Sequence, residues 1–243
     1  EDREGRREAQ WHAASLYTEQ GQWKQAAAAY KRYIYDYPRP VERAMRARER
    51  IVHAYDQQGQ PDKRDYWLKD IVDQVPPDAS VDDDALRLMA ARAALQLAEQ
   101  PAAAFNDVQL VRPLKQSLRR KKRYMQQALS AYDKVNAYGV AQTTTRATFE
   151  TAQIYNHMAQ ALLNAEPPKN LSSRELEQYS LLLEEQAYPF EEKAIEIHEA
   201  NARRVKEGLY DQWVRRSFAA LQSLRPARYA REETKDEYFA ALN

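Results

Sequence analysis

The 243-residue chain has 37 Lys and Arg against 36 Asp and Glu, 44% hydrophobic residues, 10% aromatic residues and no cysteine. That length allows one or two domains, or one continuous stack of roughly five or six helix pairs. The balanced charge excludes a general field for polyanions, and the lack of thiols excludes disulfides, Cys-zinc sites and a cysteine nucleophile. No apolar run approaches the ~20 residues of a spanning helix.

In chain order, the opening EDREGRREAQ has neither Met nor an apolar leader and reads as the inside of a charged helix, as in a piece of a longer protein. Trp11 to Pro38, WHAASLYTEQGQWKQAAAAYKRYIYDYP, predicts two short helices around a turn at Gly21, with Ala14 and Tyr17 on the first and Trp23, Ala26 and Tyr30 on the second. The pattern returns 38 residues on: Tyr17 maps to Tyr55, Gly21 to Gly59 and Pro38 to Pro76. The next pair therefore covers Arg43 to Gln57 and Lys63 to Val75, with Pro61 at the second helix start. Ser80 is the candidate N-cap of the following helix, with Asp82, Asp83 and Asp84 in its first turn. That helix runs to about Glu99, and Gln100 to Val111 is expected to interrupt it. A long helix from Pro113 to Tyr138 repeats the first unit's spacing through Ala128, Tyr132 and Val135. Thr144 to Asn164 is the next helix, and AEPPKNLSS is a loop with Ser172 or Ser173 as N-cap. Arg174 to Glu185 is helical, Pro189 either kinks it or starts a new helix, and Lys193 to Ala202 continues. Gly208 and Tyr210 repeat the spacing of Gly21 and Trp23, and Tyr210 to Leu224 closes the pattern. Strand signals are nearly absent, so the fold class is all-α.

These spacings resemble the tetratricopeptide (TPR) repeat, a helix–turn–helix unit of about 34 residues that stacks on its neighbours. The resemblance implies a TPR-like α–α superhelix: two helix pairs over residues 1–78, extended repeats that depart from the pattern over 79–228, and a charged tail at 229–243. YWLKDIVD, LVRPLKQSLRRKKRYMQQAL, LEQYSLLLEEQAYPFEEKAIEIHE and YDQWVRRSFAALQSLRPARY also resemble the C-terminal part of large proteobacterial cell-envelope TPR proteins. Proteins of that kind occur with ExbB/ExbD/TonB-type or gliding-motility systems. What this resemblance implies is a periplasmic or outer-membrane-associated scaffold, partnered by an energy-transduction or motility component.

Catalytic and cofactor signals fail on residue arithmetic. His198-Glu199 opens an HExxH zinc pattern, but Ala202 stands where the second histidine must be. Adjacent carboxylates such as Glu184-Glu185 point to different sides of a helix, not across a cleft. The expectation is a protein without catalytic residues, metal or cofactor. In the repeat register, Trp11 and Ser15, then Arg46, Glu49 and His53, then Arg146, Phe149, Gln153 and His157 fall on a groove face, where aromatics and arginines would anchor a peptide. Arg119, Arg120, Lys122 and Arg123 are the candidates of a basic run that includes Lys121. The run wraps more than one helical turn, so a solvated helix weighs against a phosphate patch. The main reading is a non-catalytic protein-binding scaffold. Its alternatives are an accessory domain of a larger envelope enzyme such as a peptidoglycan hydrolase, and a basic helix for anionic lipid or nucleic acid.

Overall fold

The computed structural model describes residues 2–79 and 83–226, and every regular element among them is helical. In order these are α1 (Arg3–Glu19), α2 (Trp23–Asp36), α3 (Val41–Gln57), α4 (Pro61–Gln74), α5 (Asp84–Asn106), α6 (Leu114–Asn136), α7 (Ala141–Leu163), α8 (Ser173–Arg203) and α9 (Gln212–Leu224), with a short 3-10 turn at Arg204–Glu207. The chain divides into two compact units, Glu1–Ala147 and Thr148–Asn243. The all-α expectation holds. Ser80 and the tail at 229–243 lie outside the described residues.

In the first unit each helix packs on the next in sequence, from α1 on α2 through α5 on α6, and α3 also touches α5. The turns explain this order. Gly21 and Gly59 sit at φ +67° and +62°, a left-handed conformation open to glycine at little cost, and each follows a helix whose last carbonyls it helps to close. Short loops of this kind lay consecutive helices antiparallel. The first core then forms from Ala14, Ala27, Tyr30, Tyr33, Ala47, Ile51, Ala54 and Tyr55, with Trp11, Trp23 and Trp67 against it. Trp11 meets Tyr30 and Tyr33 edge-on at ring-centroid distances of 5.3 and 5.1 Å, a favoured aromatic geometry. Pro61 occupies the first turn of α4 as expected. Between α3 and α4, Arg48 Nε donates to Asp70 at 2.6 Å. Buried Tyr138, just beyond α6, donates its hydroxyl to Val75 O at 2.9 Å and so fixes the C-terminal ends of α4 and α6 together.

Two local expectations change, and an alternative at Pro189 falls away. The N-cap of α5 is Asp83, which accepts from the amides of Ala85 and Leu86 at 2.9 and 3.1 Å. Helix α5 does not stop at Gln100; it passes through Pro101 to Asn106. Burial of Ala98 and Phe105 holds that last turn, offsetting the proline's missing N–H and its clash. The interruption shrinks to residues 107–113. At Pro189 no new helix starts, the second of the two alternatives there: α8 is a single 31-residue helix through it. Its start is a capping box between Ser172 and Glu175, one of the two N-caps the sequence offered.

In the second unit, α8 packs on α9. Ile195, Ala202 and Leu221 form a buried cluster with Phe218 and Leu224 against it. The part of α7 in this unit joins through aromatic contacts, Phe149 to Trp213 at 5.6 Å and Tyr155 to Phe190 at 6.5 Å.

Candidate functional site

One face of α3 and one face of α5 build a concavity in the first unit. Glu49, Val52, His53 and Asp56 follow one another at helical three- and four-residue spacings, as do Met89, Arg92, Ala93, Gln96 and Glu99, so each set shares a side of its helix. Contact between α3 and α5 brings the two sets face to face. Arg64 and Leu68 of α4 and Arg146 of α7 complete the walls of a space of about 430 Å³. His53 and Arg146, two of the groove residues expected from the repeat register, meet here.

Most charges on these walls already have partners. Arg146 donates to Glu99 at 2.6 Å, Arg92 to Gln142 at 3.2 Å and Arg64 to Asp56 at 3.3 Å. The exposed His53 ring meets Trp23 edge-on at 5.3 Å. Glu49 differs: it is half-buried and makes no direct ion pair or hydrogen bond among the described residues. Burial pushes its carboxyl above the ordinary glutamate range, against the opposing pull of Arg92, Arg50 and Arg46. The result is a carboxylate already partly stripped of water, with arginines nearby but none paired to it directly.

The remaining groove candidates are dispersed. Trp11 packs in the first core, and the guanidinium of Arg43 stacks 4.8 Å over its ring. That arginine also forks onto Glu8, with one bond of 2.6 Å, which lowers the Glu8 carboxyl's pKa. Ser15 shares a 3.2 Å hydrogen bond with Tyr30. Arg46 is exposed and pairs with Glu42 on its own helix at 2.6 Å. Phe149 lies in the second unit against His198 and Trp213, and Gln153 and His157 are half-buried further along α7. The α5 contributors Arg92, Gln96 and Glu99 were not singled out from sequence. Continuing the register of Arg46, Glu49 and His53 through the third unit would have found them, since their spacing marks one helix face.

The basic run splits by direction. Lys121 turns inward with 1% of its surface exposed, and its Nζ donates to Phe105 O and Val108 O at 3.1 and 2.8 Å. It thereby caps the C-terminal end of α5; burial lowers its pKa. Arg119, Arg120 and Arg123 are exposed and line a second concavity of about 670 Å³ with Arg112 and the 107–113 loop. Lys122 is exposed as well but does not line it.

His198 is fully buried, with Nδ1 3.2 Å from Ser217 Oγ, and Asn201 donates to the same hydroxyl at 2.9 Å. It serves packing in the second unit. The chain matches no protein-family model and no curated protein.

Proposed function

We propose that this chain is a non-catalytic scaffold, a TPR-like α–α superhelix that grips a peptide or protein segment in the α3–α5 concavity. The observation that carries the reading is Glu49, a half-buried carboxylate that no cation pairs directly among the described residues, on a wall shared with His53 and Arg146. A lysine or arginine from a partner would supply that cation, and the partner would recover energy already lost to desolvation of the carboxylate. Sequential helix packing and the paired left-handed glycine turns support the repeat assignment. The periplasmic or outer-membrane-associated setting, with an energy-transduction or motility partner, rests on the resemblance of the stretches around α4, α6, α8 and α9.

The test is binding of fluorescent peptides, basic and acidic in equal number, to the full chain. A set of basic peptides should bind saturably. Glu49→Gln should weaken them by about tenfold, the scale of one charge-assisted contact, and His53→Ala should weaken them less. Lys24→Ala, on the exposed side of α2, should change nothing. Affinity should also fall with acidification sooner than for an ordinary glutamate, because the raised pKa makes Glu49 neutral at a higher pH. Equal binding of both peptide classes, or indifference to Glu49→Gln, would reject the assignment. Fractionation of the source cells tests the compartment: recovery in the cytosol would reject the envelope setting.

A further inference from the structure

We propose that the concavity between the 107–113 loop and the first turns of α6 is a site for a ligand carrying two or more phosphate groups. At 100° per residue, Arg119, Arg120 and Arg123 span one side of α6, and all three point into the same hollow. Arg112 lines the same hollow from the facing loop. Elsewhere among the described residues several arginines are paired with acids: Arg43 with Glu8, Arg48 with Asp70, Arg146 with Glu99 and Arg225 with Glu192. Arg119, Arg120 and Arg123 make no ion pair among the described residues. Their interactions there are those of Arg120 and Arg123 with the Tyr124 ring, 5.9 and 5.2 Å from its centroid. Asp107 is the one acid on the rim among the described residues, too few to neutralise the cluster.

The wall opposite the helix is pre-organised. Lys121 ties the chain at Phe105 and Val108 to the core side of α6. Ser117 Oγ accepts from Val111 N at 3.1 Å, and lies 2.6 Å from Val111 O, within donating distance. The loop that carries Arg112 is therefore fixed at both ends by side chains of the helix that carries the other arginines, and little ordering remains to be done on binding. Two planar guanidinium forks saturate one phosphate. The three arginines of α6, more than one phosphate uses, surround about 670 Å³ and fit a second phosphate. The cluster is a local hollow and not a stripe along the molecule, and the chain's formal net charge is only +1, so a single compact anion fits better than a nucleic-acid strand.

The experiment uses the full chain at moderate salt, with three probes. They are pyrophosphate by calorimetry, phosphatidylcholine vesicles doped with cardiolipin by co-sedimentation, and a single-stranded oligonucleotide by anisotropy. Pyrophosphate should bind saturably, at least about tenfold more weakly to Arg120→Gln or Arg123→Gln, and not measurably to the triple Arg119→Gln/Arg120→Gln/Arg123→Gln variant. Lys122→Gln should bind like the parent. The same variant pattern on cardiolipin vesicles alone also supports the site and assigns the phosphates to a lipid headgroup. All four substituted residues are exposed, so each variant should keep the parent's thermal melt. The proposal is overturned by no saturable binding of pyrophosphate or vesicles, by undiminished binding to the triple variant, or by equal loss in Lys122→Gln. Tighter binding of the oligonucleotide, weakened alike by every cation removed, would overturn it in favour of nucleic acid.

Discussion

His198 has a site built for a neutral ring: no exposed surface, Ser217 and Asn201 as its polar neighbours, and Phe149 5.5 Å away. Burial disfavours the charged imidazolium and brings its pKa down to about 4. In the unfolded chain the ring titrates near 6.5. Between those values the unfolded state holds more protons, so stability is complete above about pH 6.5 and is lost as pH falls toward about 4. The loss should reach about 3 kcal/mol. Urea midpoints of parent and His198→Gln, measured from pH 7 to 4, should converge as the parent loses this term; parallel curves would show that the ring stays neutral without cost. Gly59 gives a second residue-scale case. Its φ is +62° and no atom lies within 4 Å of an added Cβ, so substitution meets backbone strain and no clash. Gly59→Ala should destabilise the first unit by about 1–2 kcal/mol, and Gly59→Asn by less, since asparagine tolerates the left-handed region. Chemical denaturation checks both, and an unchanged midpoint for Gly59→Ala would refute the strain argument.

At the scale of elements, Lys121 decides where α5 ends and how the loop to α6 is held. Lys121→Met keeps the stem but leaves Phe105 O and Val108 O without their ammonium partner. The expected cost is about 1–3 kcal/mol, accompanied by faster amide exchange across residues 107–113. Unchanged exchange there would mean that Ser117 alone fixes the loop. This contact also shows what the sequence could and could not convey. Helix type, packing in sequence order and the turn glycines were legible because they depend on spacing within one or two turns. Splitting of the basic run was legible too, as five consecutive residues on a helix cannot share one face. The passage of α5 through Pro101 was not, because its support comes from Phe105 burial and from a lysine sixteen residues further on. The same logic governs the groove: register named His53 and Arg146, which line one concavity, among candidates that are otherwise dispersed, and the cover that Arg43 of α3 places over Trp11 of α1 could not be read from α1 itself. Glu49 entered as one register position among several, and only burial distinguishes it.

For the whole molecule, the first unit is mainly a chain of nearest-neighbour contacts in which each helix leans on the one before and after it, with α3 against α5 and the Tyr138–Val75 bond among the longer reaches. Such topology has little long-range closure entropy to overcome and lets stability vary along the stack. Removing α1 and α2 by starting the chain at residue 39 uncovers the face of α3 that carries Ala47, Ile51, Ala54 and Tyr55, because Tyr30 and Tyr33 leave with the deleted pair. It also strips Arg43 of Glu8 and Trp11. The core around Ala98, Phe105, Lys121 and Met125, between α5 and α6, keeps all its partners. Amide exchange on the shortened chain should therefore show protection lost in α3, reduced in α4 and retained in α5 and α6. If α5 and α6 lose protection to the same extent as α3, the first unit unfolds as one cooperative block and not as a stack. The Arg112–Arg123 concavity separates the same alternatives by function: pyrophosphate binding should survive the deletion in a stack and vanish in a single block.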